Sequence, residues 1–353
     1  MSWIATSDGR RPVVAPVVDA QAGGLVPIGS LVIETLFTAR AAQPQIVLDY
    51  DRTAGWHRRF AVTLHTDGEV LVEHRQGTSI TYARLHLTRP LQDATLRLTY
   101  AWHAPDRHGI LTVESPDTGT VDQAGFDDPQ PMPLDDIAAL IKGESVQADP
   151  AVSVLACSDE IESAGVSSGF EAGTLIDTTN GPRPIEGLKP GDLVHTIERG
   201  LQPVRCVVSR DVPALGGFTP IHLRAPYFGL QQDMTVSPGH RMLIAGADAE
   251  YLFGSDAVLV EARHLAKMAS VPRRFRGETV RYVQLIMDCH DCISVAGTWA
   301  ESLYLGDSAD HPVRLAASAL AGVPAHQLPR HARVAGPLLK NYEAMVLVSA
   351  MCA

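Results

Sequence analysis

Apolar and polar residues alternate over much of the first third of the chain, with turn signals between the runs. Leu31–Thr38 and Gln45–Tyr50 carry apolar residues at strand-like spacing. Phe60–His65 and Val70–His74 flank the turn dipeptide Asp67-Gly68, the pattern of a hairpin. Ser79–Thr88, Ala94–Trp102 and Gly109–Glu114 continue it, and helical periodicity is nearly absent. Short strands at this spacing predict an antiparallel β-sandwich or jelly roll over residues 1–115.

The pattern then changes. Residues 116–166 hold Pro116, Pro129, Pro131, Pro133 and Pro150 among many aspartates, and are expected to be an acidic, proline-rich linker. A short helix fits at 135–142, where Asp135 and Asp136 suit its positive N-terminal end. No run among these aspartates has the alternating spacing of a calcium loop. Strand-like alternation returns over 167–305. The tail, 306–353, opens with a plausible helix at Val313–Gly322 and closes on the apolar run Ala344–Ser349, which fits either a strand or a packed helix. The predicted class is mainly β: a sandwich, a linker, a second all-β domain and a short α/β tail.

At 353 residues the chain can form two domains, and 45% hydrophobic with 20% charged residues is ordinary for globular protein. A formal charge of −11 argues against nucleic acid or an anionic membrane as partner. The first residues lack a basic segment followed by an apolar run, so no signal peptide is expected. Leu25–Phe37 is broken by Pro27, Gly29 and Glu34 and is too short to span a bilayer. Cytoplasmic residence is the default, with export by a route lacking an N-terminal signal left open. The five cysteines, Cys157, Cys206, Cys289, Cys292 and Cys352, are odd in number and too sparse for a disulfide framework.

Three segments carry candidate chemistry. The first is Gly169-Phe-Glu-Ala-Gly-Thr174, then Asn180-Gly181, Pro182-Arg-Pro-Ile-Glu-Gly-Leu188 and the turn Lys189-Pro-Gly-Asp192. Asn180-Gly181 suits a type I′ turn, which needs positive φ at both residues. The second is Val236-Ser237-Pro238-Gly239-His240-Arg241, and the third Tyr282–Gly297 with Trp299-Ala-Glu-Ser-Leu303.

Together these segments, with Leu252-Phe-Gly254 and Val258–Leu265, resemble bacterial Hint (Hedgehog/intein) domains over roughly 140 residues. In many members the first segment opens Cys-Phe-x-x-Gly-Thr, and that cysteine attacks the peptide bond upstream of itself. Here Gly169 stands at the cysteine's place, and glycine has no nucleophile. The resemblance implies that His240 distorts and protonates the scissile amide, that Ser237 orients the His240 ring or holds an oxyanion, and that His290 falls in a corresponding loop. A Ser-Pro-Gly-His turn whose histidine binds only backbone is the plainer alternative. Ser168 is the substitute nucleophile candidate, but strand alternation places it one residue early, on the opposite face. Splicing further requires a C-terminal Asn in a suitable context, whereas Asn341 lies between Lys340 and Tyr342.

Cys289-His290-Asp291-Cys292 could be a redox pair or half of a zinc site. The strand-like Ile293-Ser-Val that follows argues against the first, and the absence of a second cysteine pair against the second. No metal or cofactor is expected. The leading expectation is a Hint domain without self-cleavage that serves as a binding or display module, its partner an unidentified protein or glycan. Two alternatives stand beside it. One is autoprocessing near Ser168/Gly169 assisted by His240. The other is carbohydrate binding by residues 1–115, which resemble concanavalin-like modules loosely, with Trp56, Tyr100 and Trp102 lining a groove.

Overall fold

A computed structural model describes residues 3–14, 24–39, 43–53, 55–89, 92–165, 168–269, 279–306, 315, 318–321 and 323–351. The protein is mainly β, and it divides into two compact units built essentially from residues 1–165 and 166–353.

The first unit is a sandwich of two antiparallel sheets. The larger runs in the order Thr120–Asp127, His108–Ser115, Ala94–His103, Ile28–Phe37, Val152–Ser158, Trp3–Ser7 and Pro12–Val14. The smaller runs Val146–Ala148, Gln45–Arg52, Arg58–Leu64, Glu69–Gln76 and Ser79–His86. Alternation is strict in Glu69–Gln76, where Val70, Val72 and His74 turn inward and Glu69, Leu71 and Glu73 outward. Between the sheets Leu31, Ile33, Leu48, Phe60, Val62, Leu98 and Leu111 form one core, and the helix Leu134–Lys142 adds Ile137, Leu140 and Ile141 to it. Gly143, in the left-handed region at φ 73°, ends that helix.

Residues 116–158, expected as linker, are part of this sandwich. Thr120–Asp127 is an edge strand, and Val152–Ser158 lies inside the larger sheet between Ile28–Phe37 and Trp3–Ser7. The prolines that suggested a linker interrupt none of the longer strands: Pro116, Pro129, Pro131 and Pro150 fall in the connections, and Pro133 ends a two-residue strand. The expected aromatic groove is also revised. Tyr100 and Trp102 are buried, the indole N–H of Trp102 donating to the Val26 carbonyl at 3.0 Å, and Trp56 alone of the three is at the surface.

A buried ionic cluster sits in the larger sheet. Arg97, fully buried, lies 2.9 Å from Glu34 and 4.0 Å from Glu114, both carboxylates being enclosed as well.

The second unit is built on one twelve-stranded antiparallel sheet with short helices beside it. Its longest pairing joins Gly200–Pro213 to Thr279–Met287, and Phe170–Glu171 lies between Thr279–Met287 and Met234–Val236. The turn after Leu175–Thr178 differs from the type I′ expectation: Gly181 alone has positive φ, 87°, and pairs directly with Thr178, so the two-residue loop is Thr179-Asn180. The final apolar run is a helix, Asn341–Met351. Its Ala344, Leu347 and Val348 enter the same core as Phe170, Val236, Met242, Val260 and Leu285. Of the helix expected over 313–322, only Leu315 and Ser318–Ala321 are described; Cys352 lies outside the described residues. No described helix is long and apolar enough to cross a membrane.

Candidate functional site

Three short pieces of backbone meet where the second unit begins. Phe170 pairs with Val283 on one side and Val236 on the other. Just beyond the latter strand, the Ser237 N–H donates to the Gly169 carbonyl at 2.8 Å. Ser237 to His240 then form a tight turn, closed by the His240 N–H on the Ser237 carbonyl at 3.1 Å. That turn is held from behind, because Ala262 donates to the His240 carbonyl and Arg263 to that of Pro238. The segments Gly169–Phe170 and Ser237–His240 are thus side by side although far apart in sequence.

The His240 ring is fully buried and stands edge-on to the Phe170 ring, with centroids 4.2 Å apart. Burial depresses its pKa to about 4, Glu301 opposing the shift and Arg241 adding to it, so the ring is neutral at pH 7. Gln284, almost fully enclosed, joins it to Ser168. The Gln284 amide nitrogen donates to Ser168 Oγ at 2.7 Å and lies 3.3 Å from His240 Nδ1. In this orientation the amide leaves one acceptor, Oε1, without a partner, whereas the flipped amide would strand two buried N–H groups. His240 Nδ1 therefore accepts, and the proton sits on Nε2. Neither His240 Nε2 nor Ser237 Oγ has a partner among the described residues, although both are buried. An N–H and a hydroxyl left unmatched out of water are costly in an ordinary core and suit a site that meets a carbonyl oxygen or a water.

Ser168 departs from the strand alternation expected of it. The strand begins only at Phe170, so Ser168 is free of the alternation and its hydroxyl reaches Gln284. At Gly169, a Cβ would lie 2.8 Å from Tyr282 Cβ and 3.5 Å from Tyr282 Cγ and the Val283 nitrogen. Tyr282 is itself fixed, its hydroxyl donating to the Phe218 carbonyl at 2.9 Å.

His290 is occupied elsewhere. Its Nδ1 accepts from the Ala335 N–H at 2.8 Å, and its Nε2 donates to the Ser302 carbonyl at 3.1 Å with Glu301 Oε2 at 3.4 Å. The ring stands edge-on to Tyr304, with centroids 5.1 Å apart, and tilted against His331 at 6.1 Å. Both nitrogens thus bind neighbouring chain segments, including the stretch that leads to the last helix. In the adjacent loop Cys289 is exposed and Cys292 buried, burial raising the Cys292 thiol, and Cys292 opens a strand rather than a helix. Among the described residues, no three His, Cys, Asp or Glu side chains are grouped as a metal ion would require.

Gln284 and Tyr282 were not singled out in the sequence. Their signal was a polar residue, Gln284, within the otherwise apolar inner half of Thr279–Met287, with Tyr282 two positions away on the same face.

Residues 168–307 match the profile of the Hint domain, and this stretch of the second unit is a Hint domain. No curated protein matches the chain. Among solved structures, the chain is similar to the CBM40 of the Ruminococcus gnavus IT-sialidase bound to α2,3-sialyllactose, at 13% identity over 45% of this chain and 88% of that one, TM-score 0.30. Sheep galectin-11 in complex with glycerol matches at 12% identity over 39% of this chain and 90% of that one, TM-score 0.23. The leech intramolecular trans-sialidase matches at 12% identity over 51% and 31%, TM-score 0.29. These likenesses are too distant to speak for a ligand.

Proposed function

We propose that the Hint domain of this protein has lost cysteine-type self-cleavage and persists as a stable module for binding or display, joined to the N-terminal sandwich. The observation that carries this is position 169. Glycine supplies no sulfur or oxygen, and Tyr282 stands 2.8 Å from where a Cβ would be, so the place of a nucleophile is filled. The test is the intact mass of purified full-length protein, fresh and after dithiothreitol or hydroxylamine. One species at full-chain mass is expected; two fragments adding up to a cut near residue 168 overturn the proposal.

A second reading rests on the Ser168–Gln284–His240 contacts. Ser168 Oγ would attack the carbonyl carbon of residue 167, forming an ester as the C–N bond to Ser168 breaks. The hydroxyl proton would pass to the released amine, and His240 Nε2–H would stabilise the oxyanion. This reading requires hydroxylamine-sensitive cleavage between 167 and 168 that disappears in His240→Ala, so the same mass measurement separates the two.

A further inference from the structure

We propose that a groove on the outer face of the five-stranded sheet binds a neutral, hydroxyl-rich oligosaccharide. This goes beyond the reading of the Hint domain, since the groove lies in the first unit, on the sandwich joined to that domain.

The groove is written into the strand register. Three cross-strand rows cross the outer face: Ile46, Thr63 and Leu71; then Asp49, Ala61 and Glu73; then Asp51, Arg59 and Arg75. A bulge between Ile46 and Leu48 brings Ile46 and Asp49 to the same face, with Val47 and Leu48 both buried. Ala61, the smallest residue in the middle row, leaves the hollow. Its volume is about 450 Å³, within the range of small-ligand sites.

The polar groups lining it are fixed before any ligand arrives. Arg59 clasps Asp49 through Nε and a terminal nitrogen at 2.9 and 2.8 Å, and its other terminal nitrogen meets Glu73 at 3.1 Å. Arg75 lies 3.4 Å from the other oxygen of Glu73. Arg59, the arginine that lines the hollow, is thus committed to Asp49 and Glu73, while Arg75 beside it is held, among the described residues, only through Nε. Within the hollow the Glu73 carboxylate offers a fixed acceptor to hydroxyl donors, and the lining arginine, Arg59, has its fork already filled by Asp49 and Glu73. His65 Nε2, also lining the groove, is shielded from water and has no partner among the described residues. A ligand hydroxyl, able both to donate and to accept, would supply one. Ile46, Ala61 and Leu71 provide an apolar floor for the C–H face of a sugar ring. Tyr82, next to Glu73 on the neighbouring strand and 46% exposed, stands beside the hollow with the Arg84 guanidinium over its ring at 5.7 Å. Locked side chains cost little entropy on binding.

The test is a printed array of neutral, amino and acidic oligosaccharides probed with the full chain, followed by calorimetry with the best-bound sugar. Binding is expected to neutral oligosaccharides and not to sialylated or uronic ones. Thr63→Tyr, which fills the hollow with a strand-compatible residue, is expected to abolish it at unchanged melting temperature. Glu73→Gln should weaken it roughly tenfold, the effect of one charge-assisted hydrogen bond. No bound glycan, binding to acidic glycans alone, or unchanged binding by Thr63→Tyr each overturns the proposal. The intact mass of the same sample keeps the two questions apart: cleaved protein counts against the inert Hint domain, and uncleaved protein that binds no sugar counts against the groove alone.

Discussion

Restoring a cysteine at position 169 tests whether that place is truly filled. A Cβ there would sit 2.8 Å from Tyr282 Cβ, against an ordinary carbon contact of about 3.5–4.0 Å, so something must move by roughly 1 Å. Tyr282 Cβ cannot rotate away, because it is bound directly to the strand backbone, and the tyrosine hydroxyl is tied to the Phe218 carbonyl. Relief has to come from parting Phe170–Glu171 from Thr279–Met287, which strains the Phe170–Val283 pairing. Overpacking of this kind costs about 1–3 kcal/mol. For a unit of this size each kcal/mol lowers the melting temperature by about 2–4 °C. Gly169→Ala and Gly169→Cys should therefore lose similar stability in urea titrations, since the methylene alone causes the clash. Gly169→Cys should also cleave slowly or not at all in dithiothreitol, its sulfur being displaced along with the strand. A Gly169→Ala protein as stable as the parent, or a Gly169→Cys protein that cleaves promptly, would refute the steric reasoning.

Three further outcomes are expected. The His240 pKa is about 4 when folded, against 6.5 when exposed, so the unfolded chain holds more protons between those values. Stability of the second unit should fall by about 3 kcal/mol as pH drops through that window and be insensitive to this group above it. Urea midpoints measured against pH should show that slope, and His240→Gln should flatten it. Gln284→Leu leaves Ser168 Oγ and His240 Nδ1 without their donor and should cost about 1–3 kcal/mol, whereas a loss below half a kcal/mol would mean the amide holds neither. Arg97→Met leaves the buried carboxylates of Glu34 and Glu114 without their cation and should cost about 3–5 kcal/mol, read from the urea midpoint of the first unit. Replacing all three by apolar residues should recover only part of it, because the Gly217 and Gly165 N–H groups then lose their acceptors.

The sequence was legible where local chemistry governs. The alternation in Glu69–Gln76, the turn at Lys189–Asp192 and the Ser237–His240 turn each depend on a few adjacent residues. It was misleading where a strand's place depends on distant partners. Val152–Ser158 reads as the end of a proline-rich stretch, because nothing local reveals that it slots between strands more than a hundred residues upstream. Tyr100 and Trp102 were assigned to a surface groove on residue type alone, yet the strand that carries them is buried along most of its length. Register likewise decided the two features that matter most for function. The crowding at Gly169 arises from how Phe170 pairs with Val283, and the hollow at Ala61 from a bulge one strand away.

The interior position of Val152–Ser158 also has a consequence for biosynthesis. On the ribosome, the larger sheet of the first unit stays split, Trp3–Ser7 parted from Ile28–Phe37, until the chain has been made through Ser158. Once that strand is inserted the larger sheet is complete, and Ser30 then ties down the segment that follows through Glu160 and Glu162. A break just after this point, by whatever agent, would release both sheets with every strand present, whereas a break within residues 116–150 would release a larger sheet with a gap.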